Sequence, residues 1–265
     1  VNSVHSKRGC WRLLPLLAAL AAGCDWLGRP DPADRPVPAN KVVKFDVLYG
    51  QNCAGCHGAG GTFGPAPPLN NDLFRAIIPV KDLESVISKG RAGTPMPAFA
   101  EQNGGTLTEV QIQVLVHEIK GVRYDVFDKV ENGVLRVEVM PDDLGKEPPW
   151  GLPPKAPATV PPYAADGAGN KEAGAKLFDR ACSECHGANG DGIVANQPRK
   201  DKLNDPVFLA LISDQALRRI VITGRPDLGM PGYAEPRRKM PDLKALTSQQ
   251  VADLVAFMAS WKQQK

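Results

Sequence analysis

Two five-residue motifs constrain this chain more than anything else in it: Cys53-Ala54-Gly55-Cys56-His57 and Cys182-Ser183-Glu184-Cys185-His186. Of its 6 cysteines, only Cys10 and Cys24 lie outside these motifs. Four cysteines in an exported chain would first read as two disulfides. A histidine directly after the second cysteine, twice, argues against that. It argues equally against a thioredoxin-like redox pair, which needs no such neighbour. Structural zinc wants four ligands, and each motif offers three. C-x-x-C-H is instead the attachment signature of a c-type haem. Two thiols three positions apart reach the two vinyl groups of one macrocycle, and the adjacent histidine faces the iron. The expectation is two covalently bound haem c groups, on Cys53 and Cys56 and on Cys182 and Cys185, with His57 and His186 as iron ligands.

A sixth ligand is expected on the distal side of each haem. Met96 stands in Gly90-Arg91-Ala92-Gly93-Thr94-Pro95-Met96-Pro97-Ala98-Phe99, and Met230 in Gly224-Arg225-Pro226-Asp227-Leu228-Gly229-Met230-Pro231-Gly232-Tyr233. Both segments read G-R…M-P-small-aromatic, 39 and 44 residues after their histidines. A thioether is a neutral, soft ligand that favours ferrous iron and raises the potential. The flanking prolines stiffen the loop that presents it. Met240, before Pro241, is the rival to Met230 but lacks the following aromatic. Met258 reads as helix core, and Met140 has no ligand context.

The repetition extends further. An amphipathic stretch precedes each motif, Val43 to Gln51 and Glu172 to Arg180. Another helix is expected between motif and methionine loop, around Lys81–Ser88 and Asp214–Ile222. Leu107-Thr108-x-x-Gln111 and Leu246-Thr247-x-x-Gln250 are capping boxes, with Ile112 and Val251 as partners for the leucine before the cap. Apolar residues then recur at helical spacing, at Val110, Val114, Leu115 and Ile119 and at Val251, Leu254, Val255 and Met258. The offset between halves grows from 129 at the cysteines to 134 at the methionines and 139 at the caps, so insertions fall in the second half's loops.

With these elements the chain resembles class I cytochrome c, twice over, across about 41–121 and 168–265. The resemblance implies an all-α fold of two small domains, each wrapped around a haem that supplies much of its core. It also implies that the Pro67 carbonyl holds the ring of His57, a position for which the second half offers only Pro198. Arg91 and Arg225 match positions where the family often holds haem propionates; the alternative is a solvated loop charge.

The remaining segments frame these domains. Residues 1–23 carry Lys7, Arg8 and Arg12, no acid, and an apolar stretch from Leu13 to Ala22. That is too short to span a membrane but right for an export signal. It runs into Ala21-Ala22-Gly23-Cys24, which resembles a lipobox with Cys24 as the lipidated residue; ordinary signal cleavage is the alternative. Residues 24–40, with Pro30, Pro32, Pro36 and Pro38, read as a tether. The connector, 122–167, contains an alternating stretch from Val134 to Val139 that reads as a strand. Three Pro-Pro pairs follow, with Trp150 expected to anchor the connector on a domain.

Charge and ligation then narrow the function. Without the signal the chain has 29 basic and 29 acidic side chains, which excludes a strongly basic nucleic-acid binder. The second domain carries net +4 and the first none. Arg237-Arg238-Lys239, just past Met230, could steer an acidic redox partner or simply be solvated. Iron with both axial positions filled exchanges electrons without an open substrate site. The expectation is a periplasmic, lipid-anchored dihaem carrier between a quinol-oxidising complex or dehydrogenase and a terminal oxidase. A fixed subunit of a respiratory or photosynthetic complex is the alternative. A dihaem peroxidase-like enzyme would need one haem with a displaceable ligand, and beyond the export signal only His117 is left over for such chemistry.

Overall fold

Apolar residues at helical spacing, cut short by Gly and Pro, give helices of 4 to 13 residues. The computed structural model describes residues 36–121, 127–131, 134–138, 149–192, 202–236, 241–242 and 245–263. Ten α-helices fall among them. A first lobe contains α1 (Phe45–Asn52), α2 (Ala54–His57), α3 (Asp72–Ile77), α4 (Val80–Lys89) and α5 (Glu109–Lys120). The second repeats the order with α6 (Lys171–Ala181), α7 (Ser183–His186), α8 (Pro206–Leu211), α9 (Asp214–Thr223) and α10 (Ser248–Ser260). Both lobes belong to one compact unit, Val42–Lys265. In the separate unit, Val1–Lys41, the described residues end in a single 3-10 turn, Ala39–Lys41. Cys24 lies outside the described residues.

The expected helices are present, and four short ones join them, two of them the single turns of the C-x-x-C-H motifs. Helices α3 and α8 have 6 residues each, too few for periodicity to reveal. They form because Asn71 and Asp205 cap them, accepting the backbone N–H groups of Phe74 and of Val207 and Phe208. Both capping boxes close: Thr108 and Gln111 exchange bonds at the start of α5, as do Thr247 and Gln250 at the start of α10. Leu107 and Ile112 are buried in the first core, and Leu246 and Val251 in the second.

Each lobe packs its first helix against its last, but by different means. In the second lobe α6 crosses α10 at Gly174, where a Cβ would stand 2.0 Å from the Asp253 carbonyl oxygen. Only glycine allows that approach. In the first lobe α1 meets α5, and Phe45 and Tyr49 of α1 take Trp150 edge-on, with ring centroids 5.4 and 5.1 Å away. Trp150 thus anchors the connector on a domain, as expected.

Two buried arginines lash the connector down. Arg75 of α3, with no exposed surface, donates to the carbonyls of Ile119 at 2.8 Å, Trp150 at 2.7 Å and Gly151. Arg218 of α9 donates to the carbonyls of Pro162 and Tyr163 and to Ser248. Earlier in the connector an antiparallel pair forms between β1 (Phe127–Glu131) and β2 (Val134–Glu138), Phe127 opposite Glu138 and Glu131 opposite Val134. Strand β2 was legible from its alternation; Phe-Asp-Lys-Val-Glu in β1 does not alternate. Val139 and Met140 lie outside the described residues.

Candidate haem sites

Each C-x-x-C-H motif is a single helical turn. Cys53 is the residue before α2 and Cys182 the residue before α7. The His57 N–H donates to the Cys53 carbonyl at 2.9 Å and the His186 N–H to the Cys182 carbonyl at 3.0 Å. On such a turn, positions i, i+3 and i+4 share one face. Cys53, Cys56 and His57 therefore project together, as do Cys182, Cys185 and His186. None of the four cysteines forms a disulfide. Burial pushes the Cys53 thiol up to about 12, the opposite of the depressed thiol of a redox-active pair. Two thiols and an imidazole on one face, with no metal-holding cluster around them among the described residues, suit thioether attachment to a haem with histidine on its iron.

The histidine of the first site is oriented from behind. His57 Nδ1 lies 2.8 Å from the Pro67 carbonyl oxygen, which fixes Nδ1–H as the donor and leaves Nε2 for a metal. Desolvation takes the His57 pKa down to about 4, with a smaller contribution from the charges of Arg219 and Arg91 against the opposing bond to Pro67. The imidazole is thus neutral, as a ligand must be. His186 is buried, and Pro198 lies outside the described residues.

After each motif the chain makes the same reversal. Gly58 (φ +83) and Gly187 (φ +76) follow the histidines, and a Cβ on Gly58 would stand 1.7 Å from the Thr62 carbonyl oxygen. The Gly61 carbonyl then accepts the Asn70 N–H, and the Gly190 carbonyl accepts those of Leu203 and Asn204. The side chains of Asn70 and Asn204 close the loops on the Gly60 and Asn189 carbonyls. This paired Leu-Asn is a structural repeat without a chemical signature, because asparagine binds no haem.

The methionine loops share one scaffold. The Arg91 N–H donates to the Met96 carbonyl at 3.1 Å, and the Arg225 N–H to the Met230 carbonyl at 3.0 Å. Phe99 N–H docks on the Ile87 carbonyl of α4, and Tyr233 N–H on the Ile222 carbonyl of α9. Leu107 and Leu246 then dock on the carbonyls of those two aromatics, both at 2.8 Å. The G-R…M-P-small-aromatic pattern is thus the fold of a loop that returns onto its own helix. Met96 is half-buried against the first core. Met230 is half-buried, Met258 lies in the second core, and Met240 and Arg237-Arg238-Lys239 fall outside the described residues. His117 sits half-buried near the end of α5, its pKa lowered by burial.

The arginines have partners that the sequence did not reveal. Arg91 donates to the Tyr163 hydroxyl at 2.9 Å. Arg225 pairs with Asp227 at 2.8 Å and reaches the Gly64 carbonyl of the first lobe at 3.4 Å. A propionate on Arg225 would therefore share its guanidinium with Asp227. The largest omission is Arg219 of α9, which is buried against the first lobe. It donates to the Pro68 carbonyl and stacks over the Phe74 ring, 3.3 Å from the centroid. Leu73 and Ile77 of α3 complete the junction by packing on the second core.

Comparison with known proteins divides the chain along the same lines. The profile of the cytochrome c family matches residues 171–262, and that of cytochrome c oxidase, cbb3-type, subunit III, matches residues 42–117. No curated protein matches the chain. Among solved structures, a chain of the Kuenenia stuttgartiensis reducing HAO-like protein complex is similar over 86% of this chain and 99% of its own. The identity is 19% and the TM-score 0.40. No helix among the described residues is long and apolar enough to cross a membrane.

Proposed function

We propose that this chain, a tandem dihaem cytochrome c with one covalently bound haem c in each lobe, is an exported carrier that relays electrons from a quinol-oxidising complex or dehydrogenase to a terminal acceptor such as an oxidase. We assign the haem domains to 41–121 and 168–265. A c-type haem supplies reversible one-electron chemistry at its iron; the chain supplies attachment, ligands and shielding. Cys53 and Cys56 would hold the first haem, with His57 and Met96 as the side chains offered to its iron. Cys182, Cys185, His186 and Met230 would do the same in the second lobe. Cys24 carries the lipid that keeps the protein at the periplasmic face of a membrane.

The observation that carries the relay reading is the junction between lobes. Side chains of the second lobe bond to the loop that follows the first motif, through Arg219 to Pro68 and Arg225 to Gly64. Two redox centres joined this way keep a fixed separation, which a relay needs and two independently swinging domains would not supply. The cbb3-type oxidase subunit match over the first lobe favours a second reading, in which the chain is a fixed subunit of such a complex. Mild detergent extraction of native membranes separates the two. A carrier elutes alone with two haems per chain and is re-oxidised by added oxidase, whereas a subunit elutes with the complex in constant ratio. Mass analysis of the mature N-terminus tests the lipid on Cys24.

A further inference from the structure

The loop that orients His57 is held from the other lobe. His57 Nδ1–H points to the Pro67 carbonyl at 2.8 Å, and the next carbonyl, that of Pro68, accepts a hydrogen bond from Arg219 of α9. Arg219 is 7% exposed. Its guanidinium donates to this carbonyl and lies over the Phe74 ring, with Arg91 and Arg225 close enough for their charges to be felt. Among the described residues no carboxylate forms an ion pair with it; Asp227 pairs instead with Arg225. A buried arginine bound to a neutral carbonyl keeps its full positive charge in a medium that screens it poorly. That charge lies one residue beyond the group that positions the first histidine ligand. Arg91 adds a second positive charge on the same histidine.

We propose that Arg219 is a positioning residue for the first haem, supplied by the second lobe: it pins Pro67–Pro68 behind His57 and its charge raises the first haem's reduction potential. The inference rests on the assignment of that haem to Cys53, Cys56 and His57. The sign follows from electrostatics, because ferric iron carries one more positive charge than ferrous and a fixed cation nearby disfavours it. Each lobe thus does more than carry its own haem. Docking of the second lobe sets the potential of the first, so the order of the two potentials is a property of the joined molecule.

Potentiometric titration of the full-length holoprotein tests this, comparing the wild type with Arg219→Met and Arg219→Lys. Glu184→Gln, inside the second C-x-x-C, marks the wave of the second haem. Haem content is measured first. Fewer than two haems per chain, or no haem on the peptide containing Cys53, sinks the underlying assignment and not the role of Arg219 alone. With two haems present, the expected result is that Arg219→Met lowers the unmarked wave and leaves the marked one in place. Arg219→Lys, which keeps the charge but not the planar stack on Phe74, restores most of the shift. The proton on His57 Nδ1 should move in the nuclear magnetic resonance spectrum of Arg219→Met. An unmoved potential in Arg219→Met overturns the proposal, as does an equal fall in both waves. Retention of the wild-type potential by methionine but not by lysine would mean packing, not charge, and overturns it too.

Discussion

At the level of single residues, this protein adds buried arginines to its two apolar cores. Arg75 is fully buried and satisfies three carbonyls, two of them in the connector. Replacing it with methionine leaves those oxygens desolvated without a donor. A loss of about 3–5 kcal/mol is expected in denaturant unfolding of the holoprotein, whereas the exposed Lys171→Met should cost under about 0.5 kcal/mol. The proposed ligands make a different prediction. Met96→Ala and Met230→Ala should each abolish the methionine-to-ferric charge-transfer band of one haem only and lower that haem's potential. If either substitution left the spectrum intact, that methionine would not be a ligand. The cysteines, histidines and methionines stand out as candidates because their chemistry is rare and their spacing repeats. Arg219 does not, because Leu217-Arg218-Arg219-Ile220-Val221 reads as a helix with a polar face. Nothing local tells that this face meets another lobe rather than water.

Among the elements, the capped helices were the most readable. A capping box involves four consecutive residues, and the bonds it predicts do not depend on tertiary context. Thr247→Ala should therefore cost about 1 kcal/mol, measurable as a lower midpoint with unchanged dependence on denaturant. Loop closure is the harder case. Gly90 and Gly224 end α4 and α9 with φ of +68 and +66, and a Cβ on either would stand 2.6 Å or less from backbone of the methionine loop. Gly224→Ala should cost more than the ~1–2 kcal/mol of left-handed strain alone. It should also weaken the charge-transfer band of the second haem, because the loop that presents Met230 can no longer seat. An unchanged band would show that the loop is positioned from elsewhere. The short helices α3 and α8 escaped notice because six residues hold fewer than two turns, and the caps that define them, Asn71 and Asp205, are residue types that also populate ordinary turns.

For the whole molecule the connector is the surprise. Its Pro-Pro pairs predicted an extended, stiff segment, and 149–167 has no helix or strand. Yet it is bound on both sides, to α1 through Trp150, to α3 through Arg75 and to α9 through Arg218. Sequence alone could not decide between packed and swinging halves, since the decisive contacts join residues such as Pro68 and Arg219 that lie 151 positions apart. The packed arrangement predicts that the lobes unfold together. Trp150 and Trp261 report on different lobes, and chains retaining one or the other, with Trp26 replaced in both, should give coincident transitions. The central claim, a two-centre electron carrier, is tested most directly by potentiometric titration of the holoprotein, following the methionine-to-ferric band and then adding peroxide. The account predicts two one-electron waves, the band at both centres, and no reaction with peroxide. One centre without the band that reacts with peroxide would contradict it and make this protein an enzyme.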